Sequence, residues 1–231
     1  MATNATNALT TTSQAVTTAQ RPAPRTIKEL LQGEEIRRQV GAALPRHLKP
    51  ERFLRVAINA TMRQPELLKC TRESFFRCLL ELSSYGLEPD GRRAHLIPFR
   101  NNKTNTMEVQ LIIDYKGLAE LVRRSGDVSY IHADTVYEKD EFDFAYGSNA
   151  FLKHRPNLED RGERVAAVYS FVKRKDGSED FIVMSRAEIE KVRKRSRAAN
   201  AGPWVTDWGE MAKKTAFRRH SKWLPLSPEI R

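Results

Sequence analysis

Residues 86–113 read GLEPDGRRAHLIPFRNNKTNTMEVQLII, and within this stretch the chain changes from helical to extended periodicity. Glu88-Pro89-Asp90-Gly91 is a turn signal, because proline presets φ at one turn position while glycine and aspartate tolerate conformations that other residues resist. Beyond it, residues 95–99 and 107–113 flank an Asn/Lys/Thr loop in the pattern of a hairpin. Upstream, apolar residues recur at helical spacing. Thr26 and Glu29 form a capping box ahead of Ile27, Leu30 and Leu31, and Ile36 and Val40 continue the period after Gly33. Pro50 can open a helix carrying Phe53, Leu54, Ala57 and Ile58 that stops before Pro65, and Thr71 can cap another that carries Phe75, Leu79 and Leu82 and ends at Gly86.

Downstream, a short helix is expected over 117–124, stopped by Gly126, and strands over 128–137, 142–146 and 164–173. The last of these returns through an Asp176-Gly177 turn into 181–184. Ser185 with Glu188 is a further capping box, opening a helix to about residue 195. The pattern predicts an α+β fold with N-terminal helices, a central, mainly antiparallel β-sheet, and basic C-terminal helices. Residues 1–25 hold seven Thr in the first eighteen positions and no charge before Arg21, so they read as a disordered tail. Residues 26–231 read as one core domain, and 231 residues at 40% hydrophobic content are enough to bury its core.

The net charge is +11, and residues 186–231 hold twelve Lys/Arg against five Asp/Glu, which calls for an anionic partner at the C-terminal end. Two cysteines without a CxxC pattern indicate neither a disulfide framework nor a zinc site and fit a reducing cytoplasm. No apolar run approaches a membrane span, so no membrane partner is expected.

Residues 202–225, GPWVTDWGEMAKKTAFRRHSKWLP, crowd five cationic side chains and four aromatic rings together. Phosphates are met by Lys and Arg, and unpaired bases by flat apolar faces. A helix over 207–224 is expected, capped by Thr206 or Asp207 with Glu210 in capping-box spacing and stopped by Pro225. On a helical wheel Trp208, Ala212, Ala216 and Trp223 share one side, which anchors the helix to the fold. Lys214, Arg218 and Lys222 form a separate stripe about 12 Å long. No acid lies between Lys213 and Lys222 to neutralise it. Lys213, Arg219, and Lys191 and Arg195 of the preceding helix extend the candidate DNA contacts. Arg92, Arg93, Lys116, Arg123 and Arg124 form a second basic set that could line an opposite wall, against the alternative of a solvated surface.

The chain has no GxxxxGK[ST] run, so ATP-driven strand exchange is unsupported and no cofactor is expected; Mg²⁺ would serve only as a DNA counterion. Two readings of these residues stand side by side. One is a generic nucleic-acid-binding module. The other is a Mg²⁺-dependent nuclease, because Pro89-Asp90 followed by Asp114-Tyr115-Lys116 mimics a PD…(D/E)xK pattern. His95 and His132 lie on predicted strands and read as satisfied structural residues.

The runs Leu44-Pro45-Arg46-His47, Gly86-Leu87-Glu88-Pro89, His95-Leu96-Ile97-Pro98-Phe99, Tyr115-Lys116-Gly117, Gly202-Pro203-Trp204 and Glu210-Met211-Ala212-Lys213-Lys214-Thr215-Ala216 together resemble the RecT family of phage-type single-strand annealing proteins. The resemblance covers residue 26 to the end and implies a DNA groove formed by the β-sheet with the C-terminal helices. It implies an ATP-independent, non-enzymatic recombinase that coats single-stranded DNA, anneals complementary strands through a duplex intermediate and assembles as a homo-oligomeric ring or helical filament. It further implies a partner 5′-to-3′ exonuclease, a host single-strand-binding protein, and a phage or prophage origin with action in a bacterial cytoplasm. Asp114 departs from the small residue usual before the Tyr-Lys/Arg-Gly motif and places a negative charge near the expected groove. The acidic tail that relatives carry is also missing after Ser227-Pro228-Glu229-Ile230, as in a truncated or short member.

Overall fold

A computed structural model describes residues 26–196 and 198–226. The tail expected at 1–25 and the segment after Leu226 lie outside the described residues. Four helices come first: α1 (Ile27–Leu31), α2 (Glu34–Ala43), α3 (Pro50–Arg63) and α4 (Arg72–Tyr85), with a 3₁₀ turn at Pro65–Lys69. Their starts follow the sequence logic. Glu29 and Thr26 exchange both capping-box hydrogen bonds, and Pro50 occupies the first turn of α3. Thr71 precedes α4 without capping a backbone N–H; its hydroxyl bonds Ser74 Oγ instead, at 2.9 Å. Gly86 ends α4 with φ of +59°, a left-handed conformation that suits glycine.

The turn at 88–93 is pinned by charge. Glu88, 5% exposed, accepts from Arg52 Nε at 2.8 Å and from Arg93 Nη2 at 2.9 Å. The β1 (Ala94–Asn101) and β2 (Thr106–Ile113) hairpin follows, pairing Ala94 with Ile113 through Asn101 with Thr106. It closes the first core against the helices, around Phe53, Phe75, Leu79, Leu82, Leu96 and Val109.

The chain continues through α5 (Tyr115–Arg124), β3 (Val128–Tyr137), β4 (Glu141–Ala145), β5 (Phe151–Arg155), β6 (Val165–Arg174), β7 (Glu179–Ser185), α6 (Arg186–Lys194), α7 (Pro203–Thr206) and α8 (Trp208–His220). All pairings are antiparallel, as expected for α+β. They form three separate sheets among the described residues rather than one central sheet: β1-β2, β3-β6-β7 and β4-β5. The physical reason is that each hairpin uses its apolar face on a different neighbour, so the ladders never merge.

Strand alternation sends the side chains of β6 to two faces. Val168, Ser170 and Val172 point to the side covered by α5, α6 and α8, where Trp204, Ala212, Ala216 and Phe217 complete two further core clusters. Tyr169 points to the opposite side, where the β4-β5 hairpin lies over the sheet and Phe142 stacks on it at 5.9 Å. Asp140, whose side chain is out of contact with solvent, ties that hairpin down by accepting from Arg161 Nη2 at 2.6 Å and the Tyr137 N–H at 2.8 Å, with His154 Nε2 at 3.1 Å. The Arg161 guanidinium outweighs the effect of burial and holds the Asp140 carboxyl well below the usual range. Leu226 packs against both the helical core and the sheet core, joining the two halves.

The C-terminal helix expected over 207–224 is shorter, and a separate short one precedes it. α7 is a short turn that buries Trp204, and α8 ends at His220. Asp207 sits at the N-cap position of α8 with φ of −141° and ψ of 50° and no side-chain cap, and its carboxylate is taken by the Thr206 hydroxyl at 2.5 Å. Because the chain leaves the helix after His220, the wheel that placed Trp223 beside Trp208 does not apply. Trp223 is 77% exposed and anchors nothing; Trp204 is the buried anchor.

Candidate nucleic-acid interface

α5 is the element around which the basic residues gather. Its N-cap is Asp114, whose Oδ1 accepts from the Lys116 N–H at 3.3 Å. Gly117 in the first turn allows close approach: a Cβ there would lie 2.3 Å from the Arg93 carbonyl oxygen and 2.9 Å from Ile113 Cγ2. The same Arg93 carbonyl accepts from the Asp114 N–H at 2.8 Å, so α5 is locked against the end of the 88–93 turn.

On one side of α5 lies an open cleft of about 560 Å³. Arg92, Lys116 and Arg123 line it with exposed side chains, and Arg93, Glu120 and Arg124 form its floor. Arg93 is fully engaged, with Asp90 at 2.8 Å, Glu88 at 2.9 Å and Glu120 at 3.1 Å. Burial works against its charge, and the hydrogen bonds and charges of Asp90 and Glu120 more than offset that, so the guanidinium stays protonated. Arg124 donates Nη2 to the Tyr85 carbonyl at 2.5 Å, while its Nε and Nη1 are buried without a hydrogen-bond partner. Arg93 and Arg124 therefore build the cleft, whereas Arg92, Lys116 and Arg123 face solvent in it.

On the other side of α5 is a groove of about 220 Å³ bounded by α5, β3 and α8. Tyr115 and Arg123 come from α5, Ile131 and His132 from β3, and Lys213 and Lys214 from α8. Arg123 lines both spaces, so the two are adjacent around one helix. Lys116 and Arg123 are seven residues apart, about 10.5 Å along the axis and nearly on one face. The Tyr115 ring lies between two ammonium groups, Lys116 Nζ at 5.9 Å and Lys214 Nζ at 5.8 Å from its centroid.

The α8 cations do not form the uncompensated stripe expected from sequence. Acids from other elements reach two of them, Lys214 Nζ donating to Asp114 Oδ2 at 2.8 Å and Arg219 Nη1 to Glu188 Oε1 at 3.0 Å, while Lys213 pairs with Glu210 on α8 itself. Burial pushes the Asp114 carboxyl up, but the Lys214 hydrogen bond and charge and the Lys116 N–H outweigh it, leaving it below the usual range. Arg218 and Lys222 are exposed and make no ion pair among the described residues. Lys191 and Arg195 are exposed on and just after α6 and line neither space. His132 is an exposed groove residue stacked on Tyr130 at 5.9 Å rather than a satisfied structural histidine; His95 is half-buried, 3.7 Å from Asp114.

The pair of carboxylates in the nuclease pattern is turned to other tasks. Asp90 accepts from the N–H groups of Arg92 and Arg93, both at 2.8 Å, and Asp114 serves as helix cap and partner of Lys214. No group of three or more His, Cys, Asp or Glu side chains among the described residues could hold a metal ion. Nor is any helix among them long and apolar enough to cross a membrane.

The groove and the cleft beside it bring together cationic and aromatic side chains, the residue types that meet phosphates and unpaired bases. The family model described as the RecT family matches residues 51–229. The chain belongs to the RecT family. Protein RecT of Escherichia coli (strain K12) is 45% identical over 199 residues, covering 84% of this chain and 74% of that protein. RecT family membership places the chain among the single-strand annealing proteins of DNA recombination. Sequence reasoning missed Tyr115 and His132 as groove residues; the alternation of Tyr130 and His132 with Ile131 on β3 carries a signal for His132, and no local pattern marks Tyr115.

Proposed function

We propose that this RecT family protein holds one DNA strand by its phosphates along α5, between β3 and α8, and presents its bases for pairing with a complementary strand, without ATP hydrolysis and without covalent chemistry. The observation that carries this reading is the position of Arg123, which borders both basic spaces, with Lys116 two turns away and Lys213 on the facing helix. Cations on rigid helices fix a backbone while leaving base edges free, and base pairing then tests homology so that the protein need not read sequence. Arg92 and Lys214 extend the track, with Lys214 acting only as far as Asp114 releases it. Mg²⁺ takes no part beyond that of a DNA counterion.

Each phosphate contact is weak, and a homo-oligomer, ring or helical filament, multiplies such contacts through effective concentration. A 5′-to-3′ exonuclease that exposes the strands and a host single-strand-binding protein that precedes this one on them are the partners this activity calls for, in a bacterial cytoplasm and with a phage or prophage origin. The test is a mixture of complementary oligonucleotides, protein and EDTA, with no nucleotide triphosphate. Accelerated duplex formation is expected. Binding without acceleration would make the protein a binding module, and strand cleavage on adding Mg²⁺ would make it a nuclease.

A further inference from the structure

Trp223, Tyr146 and Phe144 are exposed by 77%, 57% and 37%, and all three line a single groove of about 620 Å³ at the free edge of β7. Exposed aromatic rings that converge on one groove mark a contact surface rather than scattered surface apolarity. The platform is held in place before anything binds. Tyr146 Oη accepts from the Val183 N–H on the β7 edge at 2.8 Å, and its ring stacks on Phe181 at 5.2 Å with an interplanar angle of 18°. Phe144 meets Tyr146 edge-on at 5.6 Å, and the Trp223 backbone N–H donates to the His220 carbonyl at 3.0 Å.

The charge in and beside this groove is cationic. Arg219 lines it, oriented by Glu188, and Lys222 and Arg218 are exposed next to it in sequence without ion pairs among the described residues. Its one carboxylate, Glu188, is already taken by Arg219 and by the Ser185 cap. Flat rings with flanking Arg and Lys fit unpaired nucleobases and their phosphates better than an apolar peptide. On the α8 wheel Arg219 lies about 140° from Lys214, so a strand in the α5–α8 groove does not reach this face at the same point of the helix.

We infer that the Trp223-Tyr146-Phe144 groove is a second single-strand contact, which stacks unpaired bases of a second nucleic-acid segment while the first occupies the α5–α8 groove. This rests on the annealing reading above. Three proteins test it with oligo-dT and with complementary oligonucleotides: wild type, Trp223→Phe, which keeps a stacking ring, and Trp223→Ala/Tyr146→Ala. Oligo-dT is expected to quench wild-type tryptophan emission, and the quench should disappear in Trp223→Phe. Annealing should slow roughly five-fold or more in the double alanine variant, the effect of one lost base stack, with first-strand affinity within about two-fold and Trp223→Phe near wild type. Wild type that anneals while the double variant anneals equally fast overturns the second contact alone. Quenching by an acidic aromatic peptide but not by oligo-dT overturns it in favour of protein docking. Wild type that fails to anneal at all overturns the annealing reading and this inference with it.

Discussion

Asp114 is the residue whose removal says most about the groove. It neutralises Lys214 at 2.8 Å and caps α5 at the same time. Asparagine keeps the cap and removes the charge. Asp114→Asn is therefore expected to tighten single-strand binding and, if the released Lys214 takes a phosphate, to steepen the log-log salt dependence by about 0.7. Weaker binding with an unchanged slope would place Lys214 outside the track. His220 makes a different prediction. It is fully buried on α8, its Nδ1 3.0 Å from Ser170 Oγ and its Nε2 3.6 Å from Asp180, and burial pushes its pKa below 6.5 despite the Asp180 charge. The unfolded chain then binds the proton more readily than the folded one. Stability should fall as pH drops from about 7.5 to about 5.5, and His220→Gln should flatten that fall; equal slopes in both proteins would refute it. The acids that neutralise Lys214 and Arg219 were not legible in sequence. Asp114 is one hundred residues from Lys214 and Glu188 is thirty-one from Arg219, and no local period reports such pairs.

α5 shows how an element can be placed by one backbone contact. Glycine inside a helix ordinarily costs about 1 kcal/mol relative to alanine, so Gly117→Ala on an isolated α5 would be stabilising. In the protein the added Cβ meets the Arg93 carbonyl at 2.3 Å, and the turn must shift. Net destabilisation of about 1 to 3 kcal/mol by denaturant unfolding is expected, with weakened DNA binding because Lys116 and Arg123 move with the helix. A gain in stability would show that α5 is not docked as described. Element types were largely legible, because caps, turns and periodicity act locally: the Thr26 and Ser185 capping boxes, the glycine stop after α4 and the hairpin turn at Asp176-Gly177 all recur in the structure. β5 and α7 were not. The strand Phe151–Arg155 is defined by its pairing with β4 and by Phe142 above Tyr169, and α7 by the burial of Trp204.

Across the fold, a helical core closed by the β1-β2 hairpin and a three-stranded sheet covered by α5, α6 and α8 meet where α5 sits. That junction brings Arg92, from the 88–93 turn, together with Lys116 and Arg123, and brings Arg123 together with Lys213, over one hundred residues of chain. The excess of positive charge was legible from composition, and so was an α+β arrangement. The division of labour among the cations was not, since it depends on which guanidinium groups the fold itself consumes, as it does Arg93 and Arg124. The claim that α5 and α8 hold a single strand by its phosphates is tested by the salt dependence of oligo-dT affinity in wild type and in Lys116→Ala/Arg123→Ala/Lys213→Ala. The account predicts a log-log slope shallower by roughly 2 in the variant, about 0.7 for each lost contact. An unchanged slope in a variant that keeps the wild-type fold would contradict it.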